Sequence, residues 1–311
     1  LKDIEFHDFV FNQTKVSGQV IFKKKKYLDI YIAGDYLDLD SLLKPEGEES
    51  GYKYNLLGEV NNILFQGFEF GPARINIKTD KEEYNELEID IDLNSEQRAF
   101  IKLTSFDNGD PSKIEIRAND SGLLYSKLNI TDSLIGGRLH VIAFQNNAIP
   151  DNPITGYVRL DNFSIVDAPI LTRLLQIASF TGLIEIIGSE GIPFQRFEGR
   201  FSLLNNIFTF TDSTASGLSL GFSLKGDIDI DSEKVNLKGV LVPAYAINAL
   251  IKNIPLVGPI ITGRKGEGII GVDYSMVGDG ADPEITINPL SIFTPGILRS
   301  FFDNFSVENN E

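Results

Sequence analysis

The sequence predicts a mainly β protein, namely an elongated, curved antiparallel sheet of repeating hairpins with a few short apolar helices in its last third. Three observations predict this fold. Apolar and polar residues alternate along many short segments, turn-forming residues separate those segments, and no helical pattern of useful length precedes residue 168. We therefore expect a groove segment of repeating strands over residues 1–167 and a region of strands plus apolar helices over residues 168–311.

Strict alternation is clearest over residues 87–93, where apolar and acidic residues follow one another. Successive side chains of a strand point to opposite faces, so the apolar residues share one face and the acids the other. The same period returns at 27–32, 114–118, 226–231 and 234–238. The candidate lining of the apolar face is Val20, Phe22, Leu28, Ile30, Ile32, Leu87, Ile89, Ile91, Leu93, Ile114, Ile116, Ile228, Ile230, Val235 and Leu237.

A unit of strand, strand and short leucine turn recurs weakly along the chain. One copy covers residues 16–43, a second covers 114–143, and a third runs over about 200–231. Such a unit buries its apolar face only with its neighbours, as in other repeat architectures. The repeat therefore favours a long sheet over a compact one.

The character of the sequence changes at Asp167, which is followed by a proline two residues later and so signals a helix start. Residues 170–180 are apolar apart from a narrow polar stripe, and two more helix-like segments cover 244–254 and about 294–305. The last segment would either cap the sheet or dock on a membrane or partner. Its docking candidates are Leu290, Ile292, Phe293, Ile297, Leu298, Phe301 and Phe302.

Composition weakens the case for an enzyme. The formal charge of −16 disfavours binding to nucleic acid, which requires a basic face. The absence of cysteine excludes disulfides, thiolate metal sites and cysteine nucleophiles, and two histidines leave little material for a metal site or a triad. We expect no catalytic residues, no metal and no cofactor.

Three short matches to enzyme motifs lack the context that their chemistry needs. Residues 217–221 fit the nucleophile elbow of hydrolases, but strand pattern continues after them and no histidine follows. Residues 266–271 fit a dinucleotide fingerprint, yet a strand pattern stands where the helix should open. Residues 258–265 resemble a phosphate loop without the Ser or Thr after its lysine. We therefore expect no nucleotide, and we interpret the acidic clusters as the wet face of strands.

The amount of one-sided apolar strand leaves two architectures open. A closed sheet or a sandwich would bury the apolar face on itself. An open sheet would leave that face lining a long groove, for which acyl chains are the obvious ligand. Residue 1 falls within a strand-like pattern and no signal peptide precedes it, so we also expect a segment of a longer chain.

Residues 155–302 carry a more specific signal in a series of blocks. In order these are DAPILTRLL at 167–175, ASFTGL at 178–183, GIPF at 191–194, ASGLSLG at 215–221, GVLVPAYAIN at 239–248, IPLVGP at 254–259, TG at 262–263, NPLS at 288–291 and TPGILR at 294–299. This region resembles the C-terminal region of the AsmA-like family, which includes TamB, and especially its YhdP-type members. Arg264 and Lys265 depart from the small residues usual there.

The resemblance implies a function and a location. AsmA-like proteins look like bridge-like lipid-transfer proteins, anchored in the inner membrane of Gram-negative bacteria, with a periplasmic β-taco whose hydrophobic groove carries phospholipid between the two membranes of the cell envelope. This segment would be the end near the outer membrane, where that membrane or an associated protein is the expected partner. The alternative is a structural or assembly factor for the outer membrane that acts through its C-terminal helices.

Overall fold

The computed structural model describes residues 2–42, 53–79, 84–106, 110–146, 148–178, 191–243 and 271–288. Strands take up 69% of these residues, which confirms the prediction of a mainly β protein. The strands of the described part are β1 (Lys2–Phe11), β2 (Thr14–Lys23), β3 (Tyr27–Asp38), β4 (Lys53–Phe65), β5 (Phe68–Phe70), β6 (Ala73–Thr79), β7 (Tyr84–Asp92), β8 (Arg98–Thr104), β9 (Ser112–Ala118), β10 (Leu134–Gln145), β11 (Ile154–Ile165), β12 (Ile192–Leu204), β13 (Ile207–Gly217), β14 (Leu220–Asp229), β15 (Lys234–Pro243), β16 (Val272–Asp279) and β17 (Glu284–Asn288). Its helices are α1 (Leu39–Leu42), α2 (Ser121–Lys127) and α3 (Pro169–Ile177).

The chain divides into two compact units. The N-terminal unit comprises Leu1–Asp132 and Gly136–Gly156, and the C-terminal unit comprises Ser133–Ile135 and Tyr157–Glu311.

The sheet of the N-terminal unit has the order β1–β2–β3–β4–β6–β7–β8–β9–β10, and the short strand β5 pairs with the end of β4. Neighbouring strands are antiparallel, as predicted, with one exception. β3 and β4 are parallel, in register from Tyr27 opposite Lys53 to Asp38 opposite Leu64. A parallel pair needs a crossover connection, and α1 lies at the start of this one.

In the C-terminal unit, β11 lies beside β12 and each strand from β12 to β17 pairs antiparallel with the next. Some strand pairs approach so closely that one of them must carry glycine. A Cβ atom at Gly239 would lie 1.8 Å from the carbonyl oxygen of Ser223 on the neighbouring strand. Glycine at this position therefore permits the pairing of β14 with β15.

The short helices occupy the turns between strands. α1 and α2 lie at the leucine turns of the first two repeat copies, in a region where the sequence predicted no helix of useful length. The Asp120 carboxylate caps α2 by accepting a hydrogen bond of 2.9 Å from the Leu123 amide. α3 begins with Pro169 in its first turn, in agreement with the predicted helix start, but its N-cap is Ala168 rather than Asp167 and no side chain caps it. The two other predicted helices, at 244–254 and 294–305, lie outside the described residues.

Candidate apolar binding face

The strand register of the N-terminal unit aligns apolar residues in continuous rows. The first row is Ile4, Val20, Ile30, Leu56, Ile77, Leu87, Leu103, Ile114 and Ala143. The second is Phe6, Gly18, Ile32, Gly58, Ile75, Ile89, Ile101, Ile116 and Val141. The third is Val16, Gly34, Val60, Ala73, Ile91, Ala99, Ala118 and Leu139. We call these three rows the apolar face.

Ion pairs cover the opposite face of the same strands. Lys102 Nζ lies 2.7 Å from Glu86 Oε2 and 2.8 Å from Glu88 Oε1, and Lys78 Nζ lies 2.6 Å from Glu86 Oε1. Hydrogen bonds from Lys102 and then Lys78 hold the pKa of Glu86 below its ordinary value. Arg98 Nε lies 2.7 Å from Asp90 Oδ1. The acidic residues that alternate with the apolar ones therefore form a paired surface open to water. We call this side of the sheet the hydrated face.

His140 and the acidic residues of 227–231 lie at ordinary strand and turn positions. His140 Nε2 lies 3.4 Å from Glu115 Oε1 on the hydrated face. In the C-terminal unit, the Asp229 carboxylate accepts hydrogen bonds from the Asp231 and Ser232 amides, each at 3.0 Å, so it closes the turn after β14. The bonds from Ser232 hold the pKa of Asp229 below its ordinary value. Among the described residues, no three His, Asp or Glu side chains converge in a way that suits a metal ion.

Burial varies along the apolar face. On β7, Leu87 and Ile89 have no exposed surface and Ile91 is 1% exposed, and Leu93 just beyond it is also buried. Among the candidates on the flanking strands, Ile32 is buried. The others are half-buried, namely Val20, Phe22, Leu28, Ile30, Ile114 and Ile116. The face is therefore covered along its central strands and partly open on both flanks.

The C-terminal unit repeats this arrangement with larger side chains. One row is Leu203, Phe208, Ile228 and Val235, the next is Phe201, Phe210, Gly226, Leu237, Met276 and Ile285, and a third is Phe197, Ala215, Phe222, Leu241 and Val272. The candidates Ile228 and Val235 are half-buried and Leu237 is buried. Ile230 is 53% exposed, because β14 ends at Asp229 and the alternation does not extend to the residue after it.

Seven phenylalanines of this unit form a ladder of ring contacts. Its centroid separations are 5.3 Å for Phe163–Phe194, 5.5 Å for Phe194–Phe222, 6.5 Å for Phe197–Phe222, 6.1 Å for Phe197–Phe210, 4.9 Å for Phe208–Phe210 and 4.9 Å for Phe201–Phe208. Alternation in the sequence does not assign these rings to a face, because register shifts interrupt the alternation of β12 and β13. The sequence does carry a signal of such a shift. On β12 the phenylalanines Phe194, Phe197 and Phe201 are three and then four residues apart, and the spacing of three departs from the period of two.

The docking candidates between Leu290 and Phe302 lie outside the described residues. Within the described part of the chain, no helix has the length and apolar character needed to cross a bilayer.

Searches against family models, curated proteins and solved structures found no match to this chain. The resemblance to the AsmA-like family therefore stays a prediction from the sequence blocks. The geometry itself, a β-sheet with a groove and an aromatic cluster, is compatible with a β-taco-like fold.

Proposed function

We propose that the apolar face binds the acyl chains of phospholipid, and that the protein moves lipid without altering it chemically. The observation that carries this proposal is the continuity of the apolar rows together with their partial exposure on the flanking strands. With strands about 4.8 Å apart, a row across nine strands measures roughly 38 Å along the sheet. That length exceeds the roughly 15 Å of one hydrocarbon leaflet, so an acyl chain fits several positions along a row.

The energetics favour binding without a fixed position. Each methylene that leaves water for an apolar surface contributes about 0.8 kcal/mol, so a two-chain lipid gains strongly from contact with the face. The half-buried positions are mostly Ile, Leu and Val, and neighbouring positions therefore offer a chain similar contacts. A lipid in such an environment meets no single deep minimum, which is the property that transport along a surface requires.

The resemblance of residues 155–302 supports the rest of the proposal. The chain would belong to a longer protein that is anchored in the inner membrane and crosses the periplasm of a Gram-negative cell. Residues 290–302 would then face the outer membrane or a protein associated with it. The ligand would be phospholipid passing between the two membranes.

The covered strip on β7 favours a second candidate function. Leu87, Ile89 and Ile91 have neighbours that exclude water without any ligand, as the core of a scaffold does. In this alternative the protein is a structural or assembly factor of the outer membrane. The two functions differ in one respect, because only the lipid carrier needs the half-buried flanks to be apolar.

A matched pair of substitutions on β3 tests the proposal. Ile30 lies on the apolar face and its neighbour Tyr31 lies on the hydrated face. We expect Ile30→Asp to lower the phospholipid bound per protein at least about tenfold, since a carboxylate in an apolar contact costs several kcal/mol. Tyr31→Asp is the control and should retain lipid.

Transfer of labelled phospholipid between vesicles gives the second readout, and circular dichroism checks that both variants fold. If Ile30→Asp proves unfolded, Ile116→Asp on the opposite flank replaces it. Equal lipid binding and transfer by the folded apolar-face variant and its control would refute the carrier function and favour the scaffold.

A further inference from the structure

A basic cleft lies beside the apolar face in the N-terminal unit. Its volume is about 930 Å³, within the range of about 300–1,000 Å³ typical of small-molecule sites. The residues that line it are Lys2, Phe22, Lys23, Lys24, Lys25, Tyr27 and Lys53. Five lysines thus surround one cleft in a chain whose formal charge is −16.

The strand register explains why these lysines meet. Lys23 pairs with Tyr27 across the β2–β3 hairpin, and Tyr27 pairs with Lys53 in the parallel strand β4. The hairpin turn takes a left-handed conformation at Lys25 (φ 63°) and Lys26 (φ 57°). The Lys53 amide donates a hydrogen bond of 2.9 Å to the Lys26 carbonyl, which holds the turn against β4.

The charges of the cleft are only partly compensated. Lys23 forms an ion pair with Asp29, and its ammonium also lies 6.0 Å from the centroid of the Tyr27 ring. Lys2, Lys24 and Lys25 are exposed at the same cleft. Ammonium groups gathered in this way favour a ligand with a phosphate, for which lysine is a common point-charge partner.

The cleft is continuous with the apolar face. Phe22 pairs with Lys2 on one side and with Leu28 on the other. Val20 and Ile30 pair with each other two residues further along these strands from Phe22 and Leu28, and they therefore lie on the same face. Lys23, Tyr27 and Lys53 belong to a row of the opposite face, so the cleft lies at the end of the sheet and takes its lining from both faces. A ligand whose phosphate contacts Lys2 and the turn lysines Lys24 and Lys25 can lay an apolar chain over Phe22 and onto the first apolar row.

We propose that this cleft binds the phosphate-bearing head group of an anionic lipid whose acyl chains lie on the apolar face. This inference rests on the proposed lipid carrier and adds the class of head group that it selects. The positive cleft admits zwitterionic lipids less well, because their cationic moiety opposes the field of the lysines.

The chain contains no tryptophan, so the fluorescence of one tryptophan introduced at the cleft reports ligand binding there. Phe22→Trp places the indole in the cleft wall, and Tyr27→Trp is the alternative reporter. The probes are dihexanoyl phosphatidylglycerol, dihexanoyl phosphatidylcholine and glycerol phosphate, each titrated below the concentration at which it forms micelles.

We expect phosphatidylglycerol to bind about tenfold more tightly than phosphatidylcholine at low salt, and its advantage to shrink as salt is added. In the reporter background, Lys24→Gln with Lys25→Gln should weaken phosphatidylglycerol binding about 30-fold, or about fivefold for each lysine. The matched control is Lys225→Gln with Lys238→Gln, two exposed lysines that pair across β14 and β15. The control should bind as the reporter protein does.

The possible failures are distinct. Equal binding of the two lipids, unchanged in the Lys24/Lys25 variant, would overturn the head-group assignment and leave the lipid carrier standing. Binding of glycerol phosphate as tight as that of phosphatidylglycerol would identify a site for a free anion and also overturn the assignment. Binding of none of the probes would overturn the assignment and would also count against the carrier itself.

Discussion

Truncation of Ile89 should destabilise the protein far more than truncation of Ile116, although both residues lie in the same apolar row. Ile89 has no exposed surface and pairs with Ile75 and Ile101. Removal of a fully buried isoleucine side chain down to alanine costs about 2–5 kcal/mol, because contacts are lost and a cavity remains. Ile116 is half-buried, so Ile116→Ala should cost roughly half as much, about 1–2 kcal/mol.

Urea unfolding of the lipid-free chain, followed by circular dichroism, measures both losses. We expect Ile89→Ala to lower the free energy of unfolding by about 3 kcal/mol and Ile116→Ala by about half of that. Ile89→Val, which removes one methylene group, should cost only about 1 kcal/mol and serves as the graded control. Equal losses for the two alanine variants, or a loss below about 1 kcal/mol at Ile89, would refute the distinction between a covered centre and partly open flanks.

Three further predictions concern stability. Gly239→Ala should destabilise the chain by at least about 2 kcal/mol in urea unfolding, because its methyl group meets the Ser223 carbonyl; a neutral effect would contradict the close approach of these strands. Glu86→Gln should flatten the acid side of the pH–stability profile. Its partner Lys102 holds the pKa of Glu86 below the ordinary 4.5. The stability that the ionised carboxylate contributes is therefore complete above pH 4.5 and is lost as the pH falls through the lower pKa of the folded state. Superimposable pH–stability profiles of the variant and the parent chain would argue against this pairing. Phe194→Ala should cost about 3–5 kcal/mol in the same assay, and a loss below 1 kcal/mol would show that the ring ladder is not a packed core.

Alternation predicted the strands and their two faces because the period of two is a local property of the backbone. Leu87, Ile89 and Ile91 could be assigned to one face without any knowledge of their neighbours. Their burial could not be predicted in the same way. Whether a residue lies at the covered centre or on an open flank depends on the position of its strand within the sheet, and strand order is not encoded in a period.

The parallel pairing of β3 with β4 also escaped prediction, and the basic cleft depends on it. In the sequence, the four consecutive lysines that begin at Lys23 look like an ordinary hydrated turn. Lys2 and Lys53 join them only through the register of four strands, one of which runs parallel to its neighbour. The phenylalanine ladder was missed for a related reason, because bulges on β12 and β13 carry Phe197 and Phe201 out of a simple alternation.

Photo-crosslinking of bound lipid tests the central claim most directly. A small diazirine amino acid is placed at Ile30, Ile116 or Ile228 on the apolar faces, and at Tyr31 or Arg117 on the hydrated face. The chain is then equilibrated with vesicles that contain radiolabelled phospholipid and irradiated. The account predicts lipid adducts at the three apolar positions and only background at the two hydrated ones. Equal labelling of both sets, or labelling of the hydrated set alone, would contradict it.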